Sequence, residues 1–334
     1  MWQYAPQSDL LTNPPISVIA GGAGFIGTNL AKALVAQGRR VVIVDNLSNG
    51  RRAYLERDPE LAHLPLIVAD LADRTGCETA FAEVAKLSPI NDVWHMAANS
   101  DIPAGVADPD VDHKDTFLTT FEILRAMQAH KVKTLHFASS SAIYGDLGDA
   151  PLHEDIGPLF PISNYGAMKL ASEAQLSAAA ESFLDRVDIF RFPNVVGVPA
   201  THGVILDFVN KLLSNHLMLD VLGDGTQQKA YLHVSDLVAA MLFIAGRSAA
   251  KVEPVNIGPV DRGVTVRWIA EAVVRRVSPS AQITYGSGNK GWVGDVPRFN
   301  YSTARLQAYG WTPQMGSEDA VAQAIDEIAV QQGL

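Results

Sequence analysis

Three consecutive serines end an apolar run in FASSSAIYG, residues 137–145, and no acidic residue stands among them. A hydroxyl at the end of a buried strand can hydrogen-bond a substrate hydroxyl and hold it in line for reaction. Ser140 is the residue for which we predict this function. Because no carboxylate accompanies it, the base for such a reaction has to come from another part of the chain.

A tyrosine and a lysine in SNYGAMKLASE, residues 163–173, are suited to supply that base. Tyr165 and Lys169 are four residues apart and therefore share one face of a predicted helix. A free tyrosine titrates near pH ~10, but a nearby ammonium and an oxidised nicotinamide ring both favour its phenolate. The pair therefore predicts a general base for a hydroxyl proton. The spacing is common by itself and gains meaning only beside the serines and a cofactor site.

A glycine-rich loop, VIAGGAGFIGTNLAKAL at residues 18–34, predicts that cofactor site. It lies between a predicted strand and a predicted helix. Gly21 permits the tight turn, Gly24 lets a pyrophosphate approach the backbone, and Gly27 lets the helix pack closely on the strand. The helix N-terminus then offers free N–H groups and the positive end of its dipole to the phosphates.

Asp45, at the end of the next strand, indicates which dinucleotide binds. A carboxylate there accepts hydrogen bonds from the adenine ribose and repels a 2′-phosphate, which favours NAD over NADP. Arg51 and Arg52 could weaken this preference, although they lie beyond the turn. The alternative is that Asp45 only caps the strand end.

The elements that must position these residues alternate in the first half of the chain. Apolar runs predict strands at 16–20, 40–45, 64–70, 92–97, 134–139 and 187–192, and helical spacing occurs at 25–37, 75–88, 112–130 and 163–182. Continuously apolar strands separated by helices predict a doubly wound parallel α/β (Rossmann) sheet. Further helices are predicted at 204–214, 235–246, 265–277 and 318–331. We expect an NAD-binding domain of residues 1–192, to which 229–258 return, and a smaller, irregular α/β substrate domain of 193–228 and 259–334.

Composition excludes several classes of protein. The chain of 334 residues has a formal charge of −10, which disfavours nucleic acid as a partner. Cys77 is the only cysteine, and the first fifteen residues lack the pattern of a signal peptide, so we expect a reducing cytoplasm. The longest apolar run, at 237–246, is about half the length of a bilayer span and predicts a buried helix, not a membrane anchor.

Six motifs occur in a characteristic order: GGAGFIG, DN, HMAAN, SSSAIYG, YGAMK and GDG…YLHVSD. In this order they resemble the extended short-chain dehydrogenases/reductases, and more narrowly the nucleotide-sugar epimerase group typified by UDP-glucose 4-epimerase. The resemblance runs from residue 16 to residue 315. It implies a bound NAD, a nucleotide-diphosphate sugar as substrate, with a UDP-sugar favoured, and no metal. It also implies a homodimer in which the 112–130 helix and the Tyr165 helix form a four-helix interface.

The resemblance also assigns residues. It implies the catalytic set Ser140, Tyr165 and Lys169. For the cofactor it implies Gly21, Gly24, Phe25, Ile26, Gly27, Asp45, Asn46, Asp70, Leu71, Ala97, Ala98, Tyr165, Lys169 and Pro193. For the substrate it implies Ser141, Asn194, Val204, Lys229, Asp295 and Phe299. Phe299 falls at the position that gates N-acetyl groups in the family, and simple core packing is the alternative for it.

Four positions depart from the family pattern. Thr116 stands where many members carry a helix asparagine that organises a catalytic water. Lys229 replaces an arginine for the diphosphate, Ala230 replaces the neighbouring aspartate, and Trp292 occupies a second arginine position with Lys290 nearby. A lysine holds phosphate as a point charge and lacks the bidentate fork of arginine, so the diphosphate contacts are expected to differ.

The residues after Ser140 help to choose the reaction. Family dehydratases carry Asp-Glu there and decarboxylases keep the Glu, whereas this chain has Ser141 and Ala142. A reductase usually prefers NADPH, which Asp45 disfavours. We therefore expect C4 inversion of a UDP-hexose through a transient 4-keto sugar, with Tyr165 as base and hydride passing to and from NAD. The alternatives are a uronate 4-epimerase, a 2-epimerase, a 4-keto-sugar reductase or a non-catalytic nucleotide sensor.

The histidines do not have the spacing of a helical metal site. His95 and His136 lie in apolar strands and are expected to be core residues with satisfied hydrogen bonds. His202 and His233 lie near the presumed substrate domain, where a ligand contact is the less favoured alternative.

Overall fold

The computed structural model describes residues 14–148, 150–288 and 301–334. The strands in these ranges are β1 (Ile16–Ala20), β2 (Arg40–Asp45), β3 (Leu66–Val68), β4 (Ile90–His95), β5 (Thr134–Ala138), β6 (Arg186–Arg191), β7 (Asn194–Val196), β8 (Met218–Val221), β9 (Gln228–Lys229), β10 (Tyr231–His233), β11 (Val252–Asn256), β12 (Val264–Thr265) and β13 (Gln282–Tyr285). The helices are α1 (Phe25–Ala36), α2 (Arg52–Glu56), α3 (Arg74–Leu87), α4 (Ile102–Ala107), α5 (Pro109–Asp112), α6 (Thr119–Ala129), α7 (Asn164–Ser182), α8 (Val204–Ser214), α9 (Val234–Ala245), α10 (Val266–Val277), α11 (Ala304–Ala308) and α12 (Ser317–Gln331). A π-helical turn (His113–Leu118) and a 3₁₀ turn (Ser141–Tyr144) are the remaining helical segments in the same ranges.

The largest sheet is parallel and has the strand order β11-β6-β5-β4-β1-β2-β3. The chain moves outward from β1 to β3 and then returns to add β4 on the other side of β1. The strand order therefore reverses between β1 and β4, which is where ligands bind in sheets of this kind. The prediction of a doubly wound parallel α/β sheet is confirmed.

Two apolar cores cover the two faces of this sheet, because side chains alternate along each strand. On one face Val18 of β1 packs with α3, α6 and α7, and Phe81 and Met127 belong to this core. On the other face Ile19 packs with α1 and α9, and Met241 belongs to that core. Both cores hold β1 rigidly, so the loop that follows it is anchored on both sides.

A third core joins α8, α10 and α12, with Val209, Val273 and Ile325 among its members. Three two-stranded sheets accompany it: β7 with β10, β8 with β13, and β9 with β12. The segment 229–258 contributes α9 to the second core and β11 to the large sheet. On these contacts we propose the predicted domain boundaries at 192, 228 and 258.

The long helices end within one residue of the predicted ranges, except for 112–130. That stretch begins with the end of α5, widens into the π-helical turn and continues as α6. The hydroxyl of Thr119 donates to Lys114 O (3.3 Å) and that of Thr120 to Thr116 O (3.1 Å), so side chains compete with amides for these carbonyls. None of the helices in the described ranges combines the length and apolarity that a membrane span needs.

A buried ion cluster lies within the sheet around His136 of β5. Its Nδ1 is 2.8 Å from Asp188 Oδ2 and its Nε2 is 3.8 Å from Asp92 Oδ2. Arg39 pairs with Asp92, and Arg186 Nε lies 3.1 Å from Asp188 Oδ2. Burial alone lowers the pKa of His136, but the two carboxylates raise it more, so the net shift is upward. Burial raises the pKa of Asp92, but His136 and Arg39 lower it further, to about 2.

We predict that His136→Leu lowers the free energy of unfolding by about 3–5 kcal/mol, because it leaves two buried carboxylates without the imidazole between them. Urea unfolding measures this loss. His63→Leu, at an exposed position, is the control and should change stability by less than about 0.5 kcal/mol. Equal losses in the two variants would contradict the assignment.

The pH dependence of the wild type provides a second test. The folded-state pKa of His136 is raised, so its stabilisation is complete below its pKa in the unfolded chain. It is lost as pH rises through the folded-state pKa. We predict that this decline in unfolding free energy is absent from His136→Leu in the same urea series. A decline of the same size in both proteins would contradict the prediction.

Candidate active site

The glycine loop after β1 forms the floor of a cleft of about 340 Å³ at the strand reversal. Gly21 has φ +78°, and a Cβ there would lie 2.6 Å from Ala97 N. A Cβ at Gly27 would lie 2.2 Å from Gly21 O, whereas one at Gly24 would meet the same oxygen at 3.4 Å, an ordinary contact. The fold therefore requires glycine at positions 21 and 27. At position 24 the packing does not require it, but the absence of a side chain there leaves more space in the cleft.

The first turn of α1 faces this cleft. Its N-cap is Gly24, no side chain caps it in the described ranges, and Phe25, Ile26 and Gly27 all line the cleft. Backbone N–H groups in the first turn of a helix have no intrahelical partner. The turn is therefore available to an anion such as a pyrophosphate.

Asp45 both caps the loop and lines the cleft. Its Oδ2 accepts from Ala23 N (2.9 Å) and its Oδ1 from Leu47 N (2.8 Å). Burial raises the pKa of this carboxyl, and the two N–H groups oppose that rise. Each oxygen retains a further lone pair, so the capping contacts leave acceptor capacity for a ribose hydroxyl. The two predicted functions of Asp45 are compatible.

Asp70 lies further along the same cleft and is paired with a lysine that the sequence analysis did not identify. Lys114 Nζ, on the π-helical turn, is 2.9 Å from Asp70 Oδ2. Burial would raise the pKa of Asp70, but hydrogen bonds from Lys114 and from Ala72 N lower it overall. Asp70 therefore stays ionised at neutral pH.

The three serines after β5 have different environments. Ser139 donates to Glu173 and is buried. Ser140 caps the 3₁₀ turn by accepting from Ala142 N (3.1 Å), and its hydroxyl also bonds Tyr165. Ser140 and Ser141 both line the cleft. Of the three hydroxyls, only Ser139 is turned into the protein interior.

Tyr165 and Lys169 are set by the start of α7, where Ser163 Oγ accepts from Gly166 N at 3.1 Å. Lys169 is 2% exposed, and its Nζ donates to Ala138 O at 2.6 Å. The same Nζ lies 4.7 Å from the centroid of the Phe137 ring and 5.8 Å from that of Tyr165. Strand β5 therefore fixes the ammonium beneath the tyrosine.

Burial dominates the electrostatics of this pair. It raises the pKa of Tyr165 to about 12, with the Ser140 hydrogen bond opposing and the Asp112 charge adding to the rise. It lowers the pKa of Lys169 to about 7, with the charges of Glu173 and Asp112 opposing. The sequence analysis expects the ammonium and the oxidised nicotinamide ring together to favour the phenolate, and burial acts in the opposite direction. The protein residues by themselves keep the tyrosine protonated.

The sequence analysis also did not predict a network of hydrogen bonds and an ion pair around Arg191, next to the serine segment. Arg191 Nη2 is 2.6 Å from Glu173 Oε2, and Arg191 Nη1 reaches Tyr144 OH (3.1 Å) and Glu154 O (2.9 Å). Glu173 follows Lys169 by four residues on α7, and that spacing was the available signal. The network joins the end of β6 to α7 and the serine segment.

The other predicted residues distribute as follows. Asn46, Leu71, Ala97, Ala98, Pro193, Asn194 and Lys229 line the cleft. Val204 begins α8 and is not part of the lining. Trp292, Lys290, Asp295 and Phe299 lie outside the described residues. Thr201 and His202 also line the cleft, as Asn194 does. The sequence analysis gives a ligand contact as an alternative for His202 and does not identify Thr201.

Two histidines, His95 and His233, are buried and lie outside the cleft lining. His95 is buried with Nε2 2.9 Å from Thr120 Oγ1, while its Nδ1 has no partner among the described residues, contrary to the expectation of full satisfaction. His233 is buried away from the cleft and bonds Ser235 and Glu327. In the described ranges no group of three or more acidic, histidine or cysteine side chains could hold a metal.

These features fit NAD. A helix N-terminus without a side-chain cap meets the end of β1, Asp45 offers acceptors at the end of the neighbouring strand β2, and Tyr165 and Lys169 also line the cleft, beyond the other side of β1. Phosphates, ribose and nicotinamide each have a complementary group in this arrangement.

Comparisons with known proteins agree with this geometry. The NAD dependent epimerase/dehydratase family matches residues 17–258. UDP-glucose 4-epimerase of Corynebacterium glutamicum is 29% identical over 318 residues, which cover 89% of this chain and 90% of that protein. A crystal structure of UDP-galactose 4-epimerase superposes with a TM-score of 0.82 at 35% identity, covering 95% of this chain and 99% of the other. The UDP-glucose 4-epimerase of Thermus thermophilus, solved in complex with NAD, gives a TM-score of 0.81 at 29% identity, covering 94% of this chain and 98% of the other.

The resemblance to extended short-chain dehydrogenases/reductases of the nucleotide-sugar epimerase group is thereby confirmed. The fold, the glycine loop and the Ser-Tyr-Lys set all point to the same group, and the family match covers well over half of the 334 residues. The chain belongs to the NAD-dependent epimerase/dehydratase family, and its cofactor is NAD.

Proposed function

We propose that this NAD-dependent nucleotide-sugar epimerase inverts C4 of a UDP-hexose through a transient 4-keto sugar. The observation that carries the proposal is Tyr165, hydrogen-bonded to Ser140 and above Lys169, at the end of a cleft that fits NAD. Bound NAD supplies the acceptor that takes hydride from C4 and returns it, together with a positive ring charge.

The side chains orient the sugar and transfer the proton. Ser140 orients O4 of the sugar, and Tyr165 takes the O4 proton and later gives it back. Burial raises the pKa of Tyr165 to about 12 in the protein alone, and the positive charge of the bound nicotinamide opposes that rise, so that the phenolate can form and act as the base. Lys169, held by Ala138 O, lies close enough to offset the phenolate charge. Because the proton and hydride both return, the cycle needs no external acid, base or fresh cofactor.

Inversion at C4 fits the site better than the alternative reactions. Elimination of water would require an acid and a base beside Ser140, where the chain has Ser141 and Ala142. A reductase using NADPH would place a phosphate against the buried carboxylate of Asp45. The relatives named above are UDP-glucose and UDP-galactose 4-epimerases. Asn194, Lys229 and Ser141 line the part of the cleft that we assign to the UDP-sugar.

We predict that Tyr165→Phe lowers kcat by about 10²–10⁴-fold while NAD stays bound, because only the proton acceptor is removed. C4 inversion followed by proton NMR, with UDP-, GDP- and dTDP-sugars as a panel and UDP-glucuronic acid and UDP-arabinose included, measures the loss. Tyr54→Phe, outside the cleft, is the matched control and should keep full activity. A Tyr165→Phe enzyme that inverts its sugar at the wild-type rate would refute the mechanism.

We also predict that the purified protein contains roughly one equivalent of NAD per chain, since its large sheet has one strand reversal for a dinucleotide. Denaturation and assay of the released nucleotide measure this content. Turnover should produce no net NADH. Stoichiometric consumption of added NADPH would instead favour the 4-keto-sugar reductase.

A further inference from the structure

A buried aspartate that the mechanism above does not use faces the Tyr165–Lys169 pair. Asp112 is the last residue of α5 and is 0% exposed. Its Oδ1 accepts from Asn99 Nδ2 (3.0 Å) and Thr116 Oγ1 (3.3 Å). Its Oδ2 has no hydrogen-bond partner among the described residues. A buried carboxylate oxygen without a donor is costly and calls for a compensating charge.

The packing around Asp112 is specific. A Cβ at Gly105 would lie 1.8 Å from Asp112 Oδ2, so only glycine leaves room for the carboxyl. Gly105 O accepts from Asn164 Nδ2 at 2.8 Å, and Asn164 directly precedes Tyr165. Asn99, the donor to Asp112, itself lines the cleft. The carboxyl is therefore fixed between the cleft wall and the start of α7.

Several charged groups face this carboxyl or its partners. From α7, Lys169 stabilises the Asp112 charge, and that charge in turn raises the pKa of both Lys169 and Tyr165. Glu173, one turn beyond Lys169, raises the pKa of the lysine more than Asp112 does. On the π-helical turn, Asp115 repels Asp112.

From β4, His95 stays neutral near Lys169, because burial and then the ammonium lower its pKa. Among the described residues, Lys169 is the cation that lowers the pKa of Asp112.

The two donors on Oδ1 favour the ionised form of Asp112. A protonated carboxyl would need an acceptor for its O–H, and Oδ2 meets none among the described residues. Burial raises the pKa of Asp112 overall, and the hydrogen bonds from Asn99 and Thr116 oppose that rise. Thr116 occupies the position of the family asparagine, so the departure noted in the sequence gives this carboxylate one of its donors.

We propose that Asp112 is a positioning residue that sets the pH range of the reaction, by keeping Lys169 protonated beneath Tyr165 through its buried negative charge. The proposal rests on the function proposed above. It explains why the pKa of a lysine that burial would neutralise falls no further than about 7. Loss of the charge shifts both titrations of the pair in the same direction, toward lower pH.

The direct test follows Lys169 itself and does not depend on turnover. Protein labelled with ¹³C at lysine Cε is titrated by NMR, and the Lys169 signal is assigned by its absence from Lys169→Met. The wild-type midpoint is expected at about 7. In Asp112→Asn it should fall by about one pH unit. Asp110→Asn removes an exposed charge two residues away and should leave the midpoint unchanged.

The activity profile provides the second measurement. The pH optimum of C4 inversion in Asp112→Asn should move downward with the Lys169 midpoint, whereas a merely structural contribution would lower kcat at every pH. If Asp112→Asn does not fold, Asp112→Ser takes its place as the test variant, because serine removes the same charge and has a smaller side chain. An unchanged Lys169 midpoint in a folded, charge-free variant overturns the proposal. A shifted midpoint in a protein that inverts no sugar would instead overturn only the proposed function.

Discussion

Because Tyr165 and Lys169 are buried together, ionising either of them has a high free-energy cost, and this cost determines the electrostatics of the site. Lys169 is almost fully enclosed, and burial brings its pKa to about 7, while that of Tyr165 rises to about 12. In such surroundings a single added charge has a large effect, because little solvent screens it. Among the described residues, the carboxylates of Glu173 and Asp112 are the charges that act on this pair, and the ring of bound NAD adds a positive one.

The fold supplies those charges from separate elements. Strand β5 ends where Ala138 O holds the lysine, and α7 carries Tyr165, Lys169 and Glu173 on successive turns. Arg191 at the end of β6 forms an ion pair with Glu173. Since β5 and β6 are neighbours in a sheet packed on both faces, these groups keep their relative positions without help from the loops.

Sequence patterns predicted the sheet and the long helices well, because apolar strands and 3.6-residue spacing are local signals. The glycine loop was predictable for the same reason, and the close contacts at Gly21 and Gly27 match the assigned reasons for glycine. The π-helical turn was missed, since it depends on threonine hydroxyls competing for carbonyls. Asp112 was missed because its partner Asn99 and the space at Gly105 come from other segments. The effect of burial on Tyr165 was not predictable, because desolvation depends on depth in the fold and residue spacing does not indicate depth.

The central claim is that the protein alone keeps Tyr165 protonated and that the charge of oxidised NAD makes it a base. Ultraviolet difference titration of wild type against Tyr165→Phe, with NAD and then with NADH bound, measures the ionisation of this one phenol. The account predicts a phenolate near neutral pH with NAD and a phenol that resists ionisation up to strongly alkaline pH with NADH. The same midpoint with both forms of the cofactor would contradict it.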